Sequence, residues 1–590
     1  MHGFYGKLLK IDLTAQRYVV DTLADDIFKD YLGGKGLATY LLNRLNPSGV
    51  DPLDPANRLI FATGPITGSR IWGSSRYGVF TKSPQTGLYA ESYSGGKVPE
   101  AIDAVGYDAI VIEGRSREPV VLTIFPDEVR FEDAGDLWGT ETYTAEERVN
   151  RTYARQDAGF RKPGSVVIGP AAENLVRFGV IKNDQWRSAG RTGVGAVMGA
   201  KKIKAILFQG DRRRPLFDEA AVQAMSKKLA AAAKDHPAVN AYKTMGTSQM
   251  VNLLNKANGF PTRYWSEGRY EHFEKINAAA FHELCDVKPR ACLKCFMGCG
   301  RNTTILKGRH KGLNLEGPEY ETIYAFGGLC DIDSIEEIAY LNDICDRLGM
   351  DTISAGNLCA FTIEAARRGR VDCDIDYGDV DAIAALLHQT ARREGPGAVL
   401  AEGIRHAAKV WDLEDIAIHV KGLEPPGYDP RALKGMGLAY GTSDRGACHL
   451  RATFYKPELA GMIDPDQIEG KAALFLEFEQ RLNIFDTLIF CRFYRDFYMW
   501  EDLQEVVRAT TGLDVDTDGL KRIASNVATL TRRFNLREGL TPADDRLPKR
   551  FHTPMEKSGK IITEQDMETM LRDYYRLQGW DENGVPPAAL

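Results

Sequence analysis

Long apolar runs are absent from this 590-residue chain, and no stretch approaches the roughly 18 apolar residues of a membrane-spanning helix. The opening Met1-His2-Gly3-Phe4-Tyr5-Gly6 lacks the charged and apolar regions of a secretory signal. Cysteine is scarce: ten residues at uneven spacing exclude a disulfide framework and read as reduced thiols. A cytoplasmic protein is the expectation. Charge of one sign is lacking too. A formal net charge of −6 gives no basic footprint for nucleic acid, and Arg212-Arg213-Arg214 reads as solvated loop charge. No internal repeat or low-complexity tract is evident. What remains, 44% hydrophobic and 26% charged residues, is ordinary for a globular protein, and the length calls for about two to three domains.

The first two hundred residues read as strands. Leu9, Ile11 and Leu13 alternate with polar residues, and Tyr18-Val19-Val20 follows the Ala15-Gln16 turn, which predicts a hairpin. Further strand-like runs cover 58–63, 77–81, 109–113, 120–125, 165–168 and 204–208, punctuated by Gly64-Pro65, Ser83-Pro84 and Gly169-Pro170. From Asp218 the pattern turns helical. Ser334 followed by Glu337 suggests a capping box, Ile335, Ile338, Leu341, Cys345 and Leu348 recur at helical spacing, and Gly349 suits the terminating position. Helices are also expected over 354–368 and 381–393, and a Pro/Gly-rich break lies at 422–427. The fold class is therefore α+β, with a β-rich base domain over 1–210 and mainly helical domains over 216–424 and 425–590.

Three cysteines stand together in Cys292-Leu293-Lys294-Cys295-Phe296-Met297-Gly298-Cys299. Thiolates at this spacing can converge on a soft metal centre, and a cluster needs a fourth ligand from elsewhere. A tetrathiolate zinc site usually pairs two knuckles, and no second pair exists, so an iron–sulfur cluster is favoured. Radical S-adenosylmethionine enzymes place the wider gap first, the reverse of this order. Cys448 and Cys491 are the candidates for the fourth ligand, and spacing does not choose between them. Cys345 and Cys359 fall on apolar helix faces, and Cys285, Cys330 and Cys373 have no partner at ligand spacing; all five read as packing.

Further segments stand out along the chain: Tyr31-Leu32-Gly33-Gly34-Lys35-Gly36-Leu37, Arg76-Tyr77-Gly78-Val79 with Thr81-Lys82-Ser83-Pro84, and the Gly190-Arg191-Thr192-Gly193 loop running to Gly199. The three cysteines, Gly317-Pro318-Glu319-Tyr320-Glu321-Thr322 and Leu348-Gly349-Met350-Asp351 continue the series. Together, in order along nearly the whole chain, these segments resemble the aldehyde ferredoxin oxidoreductase family of tungsten-pterin enzymes. The resemblance implies a β-sheet base beneath two helical domains that enclose the cofactor. It implies a tungsten bis-pterin, a [4Fe–4S] cluster and Mg2+ bridging the pterin phosphates; molybdenum is not separated from tungsten by sequence. It further implies oxidation of aldehydes to carboxylates, with electrons passing to ferredoxin or to iron–sulfur or flavin partner subunits.

By the same resemblance, the two pterin motifs are Asp346-Arg347-Leu348-Gly349-Met350-Asp351 and Asp486-Thr487-Leu488-Ile489-Phe490-Cys491. Carboxylates suit the amino and ring nitrogens of a pterin edge. In the second copy Ile489 and Phe490 replace the family's Gly-Leu, while the terminal Cys491 supplies the fourth cluster ligand. Arg76 would lie between pterin and cluster, and the loop carrying Arg191 would approach the pterin phosphates. The family's catalytic glutamate and histidine map to Glu321, as base or water activator, and His449, as hydrogen-bond donor. Glu319 is the rival carboxylate; two residues apart on a helix the pair would point about 200° apart, so one alone should face the metal. Some members bridge two subunits through an iron held by a glutamate and a histidine. Tyr340 aligns with that glutamate and no histidine with its partner, so a homodimer would need another contact. The alternative function is the tungsten subunit of an aromatic acyl-CoA (benzoyl-CoA) reductase; a metal protein without catalysis is the reading from a different class.

Overall fold

The computed structural model describes residues 1–156 and 159–588. The alternation of Leu9 and Ile11 works as the period of two requires: β1 (Lys7–Asp12) buries both and pairs antiparallel with β2 (Arg17–Thr22). β3 (Leu59–Ala62), β4 (Tyr77–Lys82), β5 (Tyr89–Ser94) and β6 (Ala109–Glu113) complete a six-stranded sheet in the order β2-β1-β6-β3-β4-β5. A second six-stranded sheet comprises β7 (Val120–Ile124), β8 (Val129–Asp133), β9 (Gly164–Val167), β10 (Ile181–Asn183), β11 (Arg187–Ala189) and β12 (Ile203–Phe208).

Read from its β8 edge, the second sheet runs β8-β7-β12-β9-β10-β11. Adding six to every strand of the first sheet reproduces this order. In each sheet the first and last strands in sequence, β1 with β6 and β7 with β12, form the parallel pair, and every other neighbour is antiparallel. A helix fills the same gap in both, Gly34–Leu45 before β3 and Thr142–Tyr153 before β9. The base is thus a topological duplication that the sequence did not disclose. The repeat conserves strand pairing, which needs only apolar residues at alternate positions, and so leaves no matching string of residues.

The two sheets meet along β5 and β11, stitched by Asn183. Its side-chain carbonyl accepts from Tyr77 Oη at 3.0 Å and Ser94 Oγ at 2.7 Å, and its amide donates to the Gly95 carbonyl at 2.9 Å.

Beyond Phe208 the chain is chiefly helical, so the architecture is a two-sheet β region followed by helical domains. Among the described residues no helix is long and apolar enough to cross a membrane. Helix Ile335–Leu348 begins at Ser334, whose hydroxyl accepts the Glu337 N–H. The reciprocal half of the expected box is missing, because Glu337 turns to Arg309 and His310. That helix and helix Lys471–Leu488 carry the two pterin-type motifs at their C-terminal ends. Each end rests on one half of the base. A Cβ at Gly169, after β9, would stand 2.4 Å from the Leu348 carbonyl oxygen; one at Gly64, after β3, would stand 2.3 Å from that of Leu488. Gly34 fixes the second seat further: its φ is +45°, and a Cβ there would meet the Asp486 carbonyl oxygen at 2.4 Å.

Candidate active site

Cys292, Cys295 and Cys299 lie on the loop between two antiparallel strands, Cys285–Arg290 and Gly300–Ile305. Cys491 follows helix Lys471–Leu488. Gly73 ties the two loops together: its carbonyl accepts the Cys491 N–H at 2.9 Å, and its own N–H donates to the Lys294 carbonyl at 2.8 Å. All four thiols line one cavity of about 400 Å3. The amides of Met297 and Gly298 point at the Cys295 sulfur, that of Phe493 points at Cys491, and the Tyr494 hydroxyl reaches Cys295. Burial pushes the Cys295, Cys299 and Cys491 thiols above their usual range. Among the described residues no three Cys, His, Asp or Glu side chains close on a point fit for a single metal ion. Cys448, the other candidate, is not on this wall.

Arg76 lines the same cavity and, among the described residues, forms no ion pair. A guanidinium left unneutralised beside buried thiols is placed to meet an anion.

Glu321 and His449 face each other across the cavity wall. Glu321 sits in the short helix Tyr320–Thr322, which passes directly into a π-helical stretch, Ile323–Gly328, a geometry that recurs at functional sites. Its Oε2 accepts the Gly427 N–H at 3.0 Å, and its Oε1 stands 3.4 Å from His449 Nε2, close but not aligned as a hydrogen bond. Oε1 and His449 Nδ1 are buried without partners, a cost a bound group would relieve. Burial raises the Glu321 carboxyl to about 8, so it is protonated at neutral pH. Burial, then the charges of Arg191, Arg445, Arg451 and Arg492, hold His449 well below its usual value and neutral.

Glu319 lines the cavity as well, contrary to the expectation that one of the two carboxylates would face away. The reason is local: Glu319 is the residue before the helix, in extended backbone with φ −77° and ψ 161°, so the helical angle does not apply. It accepts from Thr247 Oγ1 and lies toward Cys299 and Arg187, whereas Glu321 lies toward His449.

The motif loops have matching backbones despite different residues. Gly349 and Ile489 both end their helices in the left-handed region, at φ 77° and 66°. The N–H of Met350 bonds the Cys345 carbonyl at 2.9 Å, as that of Phe490 bonds Phe485 at 2.7 Å. Ile489 therefore adopts the conformation that its replacement of glycine put in question. The motif aspartates fare differently. Asp346 lines the cavity, held by Lys182 and, at 3.0 Å, by Asn342 Nδ2. Asp486 lies off the wall between Arg451, at 2.7 Å, and Arg492, and it is Arg492 that reaches the cavity. Met350 and Asp351 line it too; Gly349, Ile489 and Phe490 do not.

Arg191 is also off the wall. It binds Asp351 Oδ2 at 3.1 Å and the carbonyls of Ala447 and Glu424 at 3.0 and 2.7 Å, and Asp351 in turn caps helix Thr352–Arg367. Cys448, off the thiol wall, has polar partners of its own. Arg445 Nη2 approaches its sulfur at 2.9 Å and the Leu450 N–H at 3.3 Å. Burial alone would raise this thiol, but Arg445 and Arg451 overcome that and bring it to about 7.

Sequence reasoning missed several wall residues: Arg187, Glu316, Arg492 and the tyrosines Tyr242, Tyr320, Tyr428 and Tyr455. Tyr428 stacks on Tyr455 at 4.2 Å and on His449 at 5.4 Å. Only Arg492, next to Cys491, and Tyr320, beside Glu321, carried a positional signal.

Family models cover nearly the whole chain. Residues 8–210 match the N-terminal domain of aldehyde ferredoxin oxidoreductase, and residues 224–590 match its domains 2 and 3. Relatives include the tungsten-containing aldehyde ferredoxin oxidoreductases of Thermococcus kodakarensis and Pyrococcus furiosus, 35% and 34% identical over 100% of this chain and 98% of each relative. The WOR-like subunit of an aliphatic sulfonate oxidoreductase from Pyrococcus furiosus is 29% identical over 99% of this chain and 96% of its own length. Among solved structures, the active site complex BamBC of benzoyl-coenzyme A reductase with 1,5-dienoyl-CoA superposes with a TM-score of 0.84. It is 22% identical and covers 99% of this chain and 96% of that one, a likeness of fold.

Proposed function

Since this chain belongs to the aldehyde ferredoxin oxidoreductase family, we propose that it oxidises aldehydes to carboxylic acids at a tungsten bis-pterin and sends the electrons through a [4Fe–4S] cluster to ferredoxin or a partner subunit. The observation that carries this reading is the meeting of four cysteine thiols, the unpaired Arg76 and the Glu321–His449 pair on one cavity wall.

The residues present suit these groups. Cys292, Cys295, Cys299 and Cys491 would hold the cluster, with Met297, Gly298 and Phe493 supplying amides to its sulfur ligands. Arg76, Asp346 and Arg492 would meet the pterin. A magnesium ion held mostly by pterin phosphates requires few protein ligands. When bound, tungsten supplies the two-electron redox chemistry and the cluster passes electrons on singly.

Converting R–CHO to R–COOH takes up one water oxygen and releases two electrons and two protons. Glu321, with Oε2 pinned by Gly427, keeps Oε1 free to accept the proton that water loses as its oxygen joins the carbonyl carbon. His449, held neutral, offers a ring N–H to the substrate oxygen. Tyr242, Tyr320, Tyr428 and Tyr455 give the cavity an uncharged, aromatic stretch of wall suited to an uncharged substrate.

The test is metal and pterin analysis of anaerobically purified protein, followed by dye-linked oxidation of aldehydes alongside conversion of benzoyl-CoA. Tungsten or molybdenum near one atom per chain, with pterin and aldehyde turnover, is expected. Zinc alone, or ring reduction without aldehyde oxidation, would overturn the reading.

A further inference from the structure

We propose that the face around the cysteine loop docks a small acidic iron–sulfur protein, which collects the electrons; this rests on the function proposed above. The chain as a whole is acidic, at −6, yet this face is not. Lys294 stands exposed between Cys292 and Cys295 at the tip of the loop, where a φ of +49° turns the backbone outward. Lys97 is next to it, since the Leu293 N–H bonds the Gly96 carbonyl at 3.1 Å. Lys243 lies over the other side of the loop, its Cγ 3.6 Å from where a Cβ of Gly298 would be. Arg70 completes the ring. Its carbonyl accepts from Ser226 Oγ at 2.9 Å, and the Ser226 carbonyl accepts from Trp72 Nε1 at 3.0 Å, while Trp72 packs on Phe296 at 5.4 Å.

All four cations are exposed, and among the described residues none has an ion-pair partner. Two of the bordering acids are already engaged. Asp184 accepts the N–H groups of Lys97 and Val98 at 2.6 and 3.2 Å, and Asp286 pairs with Lys288 at 2.7 Å. Unpaired cations on and around the loop that carries three of the four thiols steer an anionic partner to that spot. Half-buried Leu293, Trp72 and Phe296 give it apolar contact. Each aldehyde yields two electrons, so two oxidised partner molecules are reduced by one electron each, and the two protons go to solvent.

The test uses the holoenzyme and two variants, Lys97→Glu/Lys243→Glu and Lys97→Glu/Lys243→Glu/Lys294→Glu, the first leaving the cysteine loop untouched. Aldehyde oxidation is followed with a viologen dye and, separately, with a purified acidic [4Fe–4S] ferredoxin across ionic strength. The expected result is a dye-linked rate within about twofold of wild type and a ferredoxin-linked kcat/KM reduced by at least about tenfold at low salt, with the salt dependence of the wild type lost. A ferredoxin-linked rate that is salt-insensitive in the wild type and unchanged in both variants would overturn the docking surface. Absence of dye-linked oxidation in the wild type would instead overturn the function on which it rests.

Discussion

In its proposed role as proton acceptor, Glu321 must first lose the proton that burial holds on it at neutral pH. With the carboxyl raised to about 8 by burial, aldehyde turnover should therefore climb as pH rises through about 8. Glu321→Gln should remove that rise and lower kcat by about a hundredfold or more, with metal and pterin retained. The sign for stability is the opposite. A carboxyl raised in the folded state favours folding below its ordinary value of about 4 and loses that contribution as pH rises to about 8. Glu321→Gln should accordingly gain in stability relative to the wild type between those limits, measured by denaturant unfolding. Cys448 titrates with the reverse linkage. Its thiol is lowered to about 7, so its contribution is present above the usual thiol range and fades as pH falls through 7. Cys448→Ala leaves a buried arginine donor unpaired, and should cost about 1–3 kcal/mol at pH 9 and less at pH 6.

At the scale of elements, the two motif loops show how one backbone turn tolerates different sequences. A β-branched residue in the left-handed region costs about 1–2 kcal/mol, and Ile489 bears that cost. Its side chain is 1% exposed, and deleting a buried isoleucine costs about 2–5 kcal/mol. Burial outweighs strain, so Ile489→Gly should lower stability by about 1–3 kcal/mol despite restoring the family's residue. Gly34→Ala should be worse, because its Cβ would strike the Asp486 carbonyl oxygen, and should reduce bound pterin as well as thermal stability. The sequence made these elements legible through local rules: the helix of the first motif from its spacing and Gly349, the hairpin from its alternation. It did not reveal β5, whose Glu91, Ser92 and Ser94 are polar yet buried. Their partners, Lys35 and Arg451 for Glu91, the Arg191 N–H for Ser92 and Asn183 for Ser94, come from elsewhere in the chain. β10 and β11, three residues each, are too short to show a period. The cysteine wall was legible because thiols at ligand spacing are rare. The tyrosine wall was not, since each ring is placed by packing between distant segments.

At the scale of the molecule, the cavity is assembled from the junction of both sheets, the cysteine loop and the ends of two long helices, so its contents join parts far apart in sequence. Anything bound there favours the folded state by mass action. Iron chelation or Cys491→Ser should lower the thermal midpoint and broaden the transition, as followed by calorimetry under anaerobic conditions. The duplicated base sets two helix ends in corresponding positions, but the residue three beyond each helix end differs. On one side Asp351 grips Arg191 and starts another helix; on the other Cys491 belongs to the thiol wall. A frame built twice carries thiols at one of its two seats, the one on the β1–β6 sheet. In the proposed function that seat would be the outlet for electrons, so an otherwise repeated scaffold would give charge flow a direction.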